Sequence, residues 1–410
     1  MKKILLFIIT ISFFSECSAQ VKPGIEVLRD DRFKVLEGKR IGLITNPTGV
    51  DRNLKSTADI LFEAPNVKLV ALYGPEHGIR GDVTAGGLID DATDAKTGLP
   101  VYSLYGKNRK PSPEILQGID ALVYDIQDIG CRSYTYISTM GLAMEAAAEN
   151  GIEFIVLDRP NPLGGEKFEG CPNVESGLIS FVSQFPITYV HGFTAGELAG
   201  FLNEESLLKN GIRCNLKVIK MKGWKRKMNF AATGLPWVIS SPHIPRPETA
   251  YFYAASGILG ELYSFNIGIG YTLPFELFAA EWIDAEKLAT DLNDLKIPGV
   301  RFRPIHYKPY YGSQKDIYLH GVQTYITDVN KIPLTLLQFY VLQECYKLYP
   351  DKNVFDLCDS ARLSMFDKVC GTSQIRETFS KNFTVKSIQE IWNKDVDNFR
   401  KKAKKYFLYK

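Results

Sequence analysis

The sequence predicts an α/β protein of two domains, the first a Rossmann-like layout built on a parallel sheet. Three observations carry this prediction. In the first half, near-continuous apolar runs alternate with helical stretches, the pattern of parallel strands buried on both faces. At 410 residues the chain is longer than one hydrophobic core usually organises. Past residue 240 the texture changes. The stretch "SSPHIPRPE" (240–248) is stiff and irregular, which places a boundary near 240–250 and divides the chain into 22–245 and a smaller α/β part at 246–410.

The elements follow in chain order. "MKKILLFIITISFFSECSAQ" has two lysines, a short apolar run and a small-residue end. That is the order of a secretory signal peptide over residues 1–19, cleaved after Ala19, and the apolar run falls short of the about 20 residues that cross a bilayer. Export is expected, the periplasm being the favoured destination. Cys17 offers lipid anchoring as a minor alternative, weakened by Glu16 where a small residue belongs. No later stretch is long and apolar enough for membrane insertion. "RIGLITN" (40–46), "VKLVALY" (67–73), "ALVYDIQ" (121–127) and "EFIVLDR" (153–159) read as buried strands. Helices are expected at 53–63 and at 138–151, the latter closed by Asn150-Gly151. "TAGELAGFLNEE" (194–205) opens with Thr194 and Glu197 spaced as a capping box. Later come a β-like run at 316–328 and helices at 333–347 and 385–405. After the first strand the chain reads "TNPTGVD" and not GxGxxG, so dinucleotide binding is unsupported.

Composition narrows the function. A net charge of +3 gives no basic patch for nucleic acid. Six cysteines beyond the leader are scattered without CxxC or zinc-ligand spacing, and the five histidines are dispersed, so isolated thiols and no metal site are expected. Polar clusters at strand ends say more. Glu76 and His77 follow the second apolar run in "YGPEHGIRGD"; Asp125 and Asp128 end the third; Asp158 and Arg159 end the fourth. In open α/β sheets ligands bind beyond those carboxyl ends.

The blocks "YGPEHGIRGD", "YDIQDIGCRSYTYISTM", "LDRPNPLGG", "HGFTAGELA", "SSPHIPRPETA" and "GELYSFNIGIGYTLPFE" occur in an order and spacing that resembles the NamZ-type exo-β-N-acetylmuramidases, over about residues 22 to 410. The resemblance implies an exo-acting glycosidase that takes N-acetylmuramic acid from non-reducing ends of peptidoglycan fragments, with no cofactor and an active-site cleft between the domains. On this reading Glu76, held by Pro75 and Gly78, is the general acid. Glu261 leads as second carboxylate, with Asp125 beside it. His77, Arg80, Asp128, Arg132, Tyr134, Arg159, Asn161, His191, His243 and Tyr271 are candidate substrate contacts, and Tyr136 and Tyr263 further aromatic ones. Two departures stand out. Gly268-Ile269-Gly270-Tyr271 occupies the place of an expected Gly-Arg-Gly-Thr, and His243 that of an asparagine. With that arginine missing, Arg80, Arg132 or Arg246 is left to meet the lactyl carboxylate of muramic acid. Structural alternatives remain: Asp125 as a sheet-end carboxylate paired with Arg132, Asp158 paired with Arg159, and Glu76 bracing its loop through Arg80. Two other functions fit the same layout, a two-lobed muropeptide receptor without catalysis and a metal-dependent deacetylase or amidase.

Overall fold

A computed structural model describes residues 20–76, 78–81 and 92–410; the leader with Cys17, and His77, lie outside these residues. The first half forms one seven-stranded sheet. β1 (Arg40–Thr45), β2 (Lys68–Gly74), β3 (Ala92–Thr93), β4 (Pro100–Ser103), β5 (Ala121–Asp125), β6 (Glu153–Leu157) and β7 (Asn215–Ile219) lie in the order β3-β4-β2-β1-β5-β6-β7. Every pair is parallel except β3 with β4. The four expected strands form its centre. β3, β4 and β7 escape the apolar-run test because two are short and β7 is a half-exposed edge.

Side chains alternate across this sheet with the period of two that strands impose. Leu43, Val123 and Ile155 pack with Leu28 of α1 (Gly24–Asp30) and Leu61 of α2 (Thr57–Glu63). Ile44, Tyr124 and Phe154 belong to the opposite core with Met140 of α3 (Tyr136–Glu149) and Leu198 of α4 (Ala195–Glu204). The capping box at α4 is complete, with both reciprocal hydrogen bonds present.

The second lobe has α5 (Thr249–Gly260), β8 (Leu277–Ala280), α6 (Ala285–Asp294), β9 (Val300–Tyr307) and β10 (Leu319–Ile326). Its three strands form an antiparallel sheet in the order β8-β10-β9. Five helices follow: α7 (Leu337–Leu348), α8 (Ser360–Cys370), α9 (Gln374–Asn382), α10 (Val385–Asn393) and α11 (Val396–Ala403). The single helix expected at 385–405 is two, broken where Asp395 takes a φ of +61°. Residues of both lobes share one continuous core: Trp392 packs on Tyr189 and Phe339 and donates from Nε1 to Thr335 Oγ1 at 2.8 Å. Residues 408–410 return to the first lobe. Leu408 N donates to Glu197 Oε1 and Arg226 N to Lys410 O, both at 2.9 Å, and the Tyr409 hydroxyl donates to Asp158. The six described cysteines are all free.

Arg132 joins the lobes. It is 1% exposed, and its guanidinium donates to the carbonyls of Cys171 (2.8 Å), Ile187 (2.8 Å), Val369 (3.1 Å) and Cys370 (2.7 Å). Val369 and Cys370 close α8, whose last carbonyls have no partner within the helix. Burial pulls the Arg132 guanidinium down to about 10. This is a correction to the sequence reading: with every terminal nitrogen spent on backbone, Arg132 is a brace and meets no substrate. Arg132→Met leaves four buried carbonyls without donors, so it is expected to cost about 3 kcal/mol or more and to lower the thermal midpoint by several degrees in a calorimetric scan. An unchanged midpoint would show the brace to be dispensable.

Candidate active site

A cavity of about 560 Å³ opens between the lobes, beyond the carboxyl ends of β2, β4 and β5. Each strand end delivers part of its wall. The turn after β2 brings Glu76, the segment after β4 brings Tyr105 and Arg109, and the loop after β5 brings residues 133–136. From the second lobe α5 contributes Tyr253 and the residue that ends it, Glu261, while α8 contributes Lys368.

The loop 133–136 forms part of the wall, and one of its side chains reaches Glu76. Thr135 Oγ1 donates to Glu76 Oε2 at 3.4 Å. Ser133 Oγ lies 3.0 Å from the hydroxyls of both Tyr189 and Tyr253, rings that feel the charge of Glu261. Between them Tyr134 donates to Ser240 Oγ at 2.7 Å and Tyr136 to the Ser240 carbonyl, which ties the loop to the irregular crossing segment. Tyr134 meets Tyr136 and Tyr253 edge-on, at 4.9 and 5.8 Å between centroids.

The two carboxyl groups have different surroundings. Burial pushes the Glu261 carboxyl up to about 6, against a weaker pull from the Arg362 cation. Glu76 takes a hydrogen bond from Thr135, and the Tyr105 phenol lies near enough to feel its charge. The Tyr105 phenol is itself pushed up to about 12, first by burial and then by the neighbouring Glu76 charge. The two carboxyl groups therefore sit in unlike surroundings, Glu261 desolvated and Glu76 hydrogen-bonded to Thr135.

Of the residues expected from sequence, Glu76, Glu261, Tyr134 and Tyr136 line this cavity. Several others do not, and each has a physical reason. Asp125 is fully buried and grips Arg159, whose Nη2 donates to Asp125 Oδ2 at 2.9 Å and to Val50 O at 2.8 Å; Thr57 Oγ1 donates to the same carboxylate. Asp125 is therefore a sheet-end ion pair, as the structural alternative held, but with Arg159 and not Arg132. Asp158, freed from Arg159's side chain, accepts from Thr194 Oγ1 at 2.7 Å and Gly196 N at 2.8 Å at the start of α4. Asp128 accepts from Gly130 N at 2.7 Å and lies 3.3 Å from His191 Nε2, while His191 Nδ1 accepts from Phe193 N at 3.2 Å. Asn161 donates to Phe193 O at 2.9 Å and packs so closely on Gly130 (φ +83°) that a Cβ there would sit 2.5 Å from Asn161 Oδ1. Arg80 is held by Asp94 at 3.0 and 3.1 Å and does not brace Glu76. His243 stacks on Tyr311 with Nε2 3.0 Å from its hydroxyl, and Tyr271 stacks with Tyr310 and packs at a tilt on Tyr307. Tyr263 is exposed beneath Arg362. Sequence reasoning missed Tyr105, Arg109, Thr135 and Lys368. The strand-end rule reaches Tyr105 once β4 is known; nothing local marks Lys368.

Two glutamates from opposite lobes line a tyrosine-walled cavity large enough to hold a sugar. The chain belongs to the exo-β-N-acetylmuramidase NamZ family: residues 41–248 match its N-terminal family model and residues 251–409 its C-terminal one. It is 46% identical over 390 residues to the peptidoglycan β-N-acetylmuramidase NamZ of Bacillus subtilis, covering 95% of this chain and 92% of that one. A DUF1343 family protein of Bacteroides fragilis shares the fold with a TM-score of 0.92 at 62% identity, over 95% of this chain and 99% of that one. A second protein of that family and organism gives 0.74 at 28% identity, over 96% and 99%.

Tyr105→Phe removes the hydroxyl nearest Glu76 in the cavity wall and leaves the ring in place. It is expected to lower kcat/KM for a muramide substrate by about tenfold with the thermal midpoint unchanged, as loss of one polar contact to the bound sugar or to Glu76 would. Full retention of kcat/KM would remove Tyr105 from the site.

Proposed function

We propose that this protein is an exo-acting glycosidase that releases N-acetylmuramic acid from peptidoglycan fragments, with Glu76 and Glu261 as its catalytic pair. The observation that carries the reading is the convergence of these two glutamates, one from each lobe, on one cavity. The leader-like residues 1–19 support action outside the cytoplasm, with the periplasm as the favoured compartment.

In this proposal Glu261 gives its proton to the glycosidic oxygen as the bond from that oxygen to the sugar C1 breaks. Glu76 faces the positive charge that grows at C1 and stabilises it; a water then adds to C1 and passes its proton to the Glu261 carboxylate, which restores the acid. This exchanges the roles first suggested by sequence, because burial keeps the proton on Glu261 to higher pH. A receptor has no use for such a carboxylic acid, so the catalytic reading is favoured over binding alone.

An aryl muramide with a good leaving group separates the roles, because such a leaving group needs no proton. Glu261→Gln is expected to retain most activity on the activated aryl muramide and to lose roughly a hundredfold or more on the disaccharide of N-acetylmuramic acid and N-acetylglucosamine, while Glu76→Gln loses both. The opposite pattern would restore Glu76 as the acid. The pH dependence carries a sign: a donor must be protonated, so kcat/KM on the disaccharide should fall as pH rises through about 6, and Glu261→Gln should abolish that limb. No release of the sugar by the wild type would sink the hydrolase reading.

A further inference from the structure

The cations that the sequence offers for a substrate carboxylate are engaged elsewhere. Arg80 is on Asp94, Arg132 on backbone carbonyls, and Arg246 on Glu276. Two cations that sequence reasoning passed over line the cavity instead, Arg109 from the first lobe and Lys368 from the second. Among the described residues neither is ion-paired with a carboxylate, although two glutamates share their cavity. Arg109 lies with its guanidinium carbon 4.4 Å above the Phe181 ring, itself part of the wall. Stacking fixes the plane of the guanidinium and leaves its edge donors free for a planar anion. Lys368 is held through its backbone: Ser183 Oγ donates to its carbonyl, and Arg132 grips the next two. Its position is thus set independently of its ammonium group. Ser180 Oγ, also in the wall, is buried without a partner among the described residues.

A cavity that holds two acidic side chains and two cations unmatched to them is arranged for a ligand with its own negative group. N-acetylmuramic acid differs from N-acetylglucosamine by a lactyl ether that ends in a carboxylate. We infer that Arg109 and Lys368, one from each lobe, form the subsite that receives this carboxylate and selects muramic acid over sugars lacking it. The inference rests on the muramidase reading and names the residues that set its sugar specificity. It also explains how the chain manages with Ile269 where a relative's arginine is expected: Ile269 is packed against the shared core, and the positive charge is supplied from elsewhere.

The test compares a muramide whose lactyl group is a free carboxylate with its neutral methyl ester, using the full chain. Wild type is expected to show a KM about tenfold lower for the carboxylate, a preference that shrinks as ionic strength rises, while the ester is insensitive to salt. Arg109→Ala and Lys368→Ala should each raise KM for the carboxylate about tenfold with little change in kcat and no change for the ester. Arg109→Lys should recover part of the loss. Variants that leave both KM values unchanged, or raise both equally, overturn the subsite. Calorimetric titration with the free sugar and its ester keeps the two proposals apart. Carboxylate-dependent binding without release by wild type would sink the hydrolase alone, whereas normal release with variants indifferent to the carboxylate would sink the subsite alone.

Discussion

The junction of the two cavity walls depends on one buried cation. The Arg132 guanidinium carries its charge into the interior without a carboxylate partner among the described residues, which is costly, and the cost is met by four carbonyl oxygens. Two of them end α8, where aligned peptide dipoles leave negative charge. The fit is close on the far side as well. Gly371 takes the left-handed conformation that ends the helix (φ +80°), and a Cβ there would stand 2.9 Å from Arg132 Nη2. Arg132 thus caps a helix of the second lobe from a loop of the first. Because Lys368 directly precedes the two gripped carbonyls, and residues 133–136 directly follow Arg132, one guanidinium sets the relative place of two cavity walls.

A second buried pair explains what this Rossmann-like sheet does not do. The chain changes direction between β1 and β5, and in dinucleotide-binding relatives of the layout that crevice holds the ligand. Here Asp125 and Arg159 fill it, with Thr57 and the Val50 carbonyl completing their hydrogen bonds. The working cavity is displaced toward β2 and β4, and Asp125 supports the sheet end without touching it. Polar residues at strand ends therefore divide into two groups with separate tasks, those that close the switch point and those that face the cleft.

The central strands and the box at α4 were legible because their signals are local: apolar runs of five to seven residues, and Thr194 three positions before Glu197. Glu76 and Glu261 were legible as members of quoted blocks. Partners were not. Adjacency pairs Asp158 with Arg159, yet Arg159 turns to Asp125 34 positions earlier, while Asp158 caps α4. Arg132 finds acceptors 237 and 238 positions away, a separation at which no periodicity survives. His191 and Asp128 look like site residues by type, and burial makes them loop supports. Lys368 lies on a helix face whose spacing resembles any other, and only the docking of α8 turns it toward the cleft.

The return of residues 408–410 to the first lobe has a consequence for how the chain comes together. Tyr409 reaches Asp158 across 251 positions, and Arg226 and Glu197 are satisfied by the backbone of the same tail. Until that tail arrives, the start of α4 keeps an acidic side chain short of a donor. The entropic cost of closing a loop grows only slowly with its length, and contacts of this separation raise the mean contact order on which folding rate depends. The first lobe, though it begins the chain, is completed by residues at the far end of it: a chain cut at residue 400 would lack the contacts that Leu408, Tyr409 and Lys410 make to Glu197, Asp158 and Arg226.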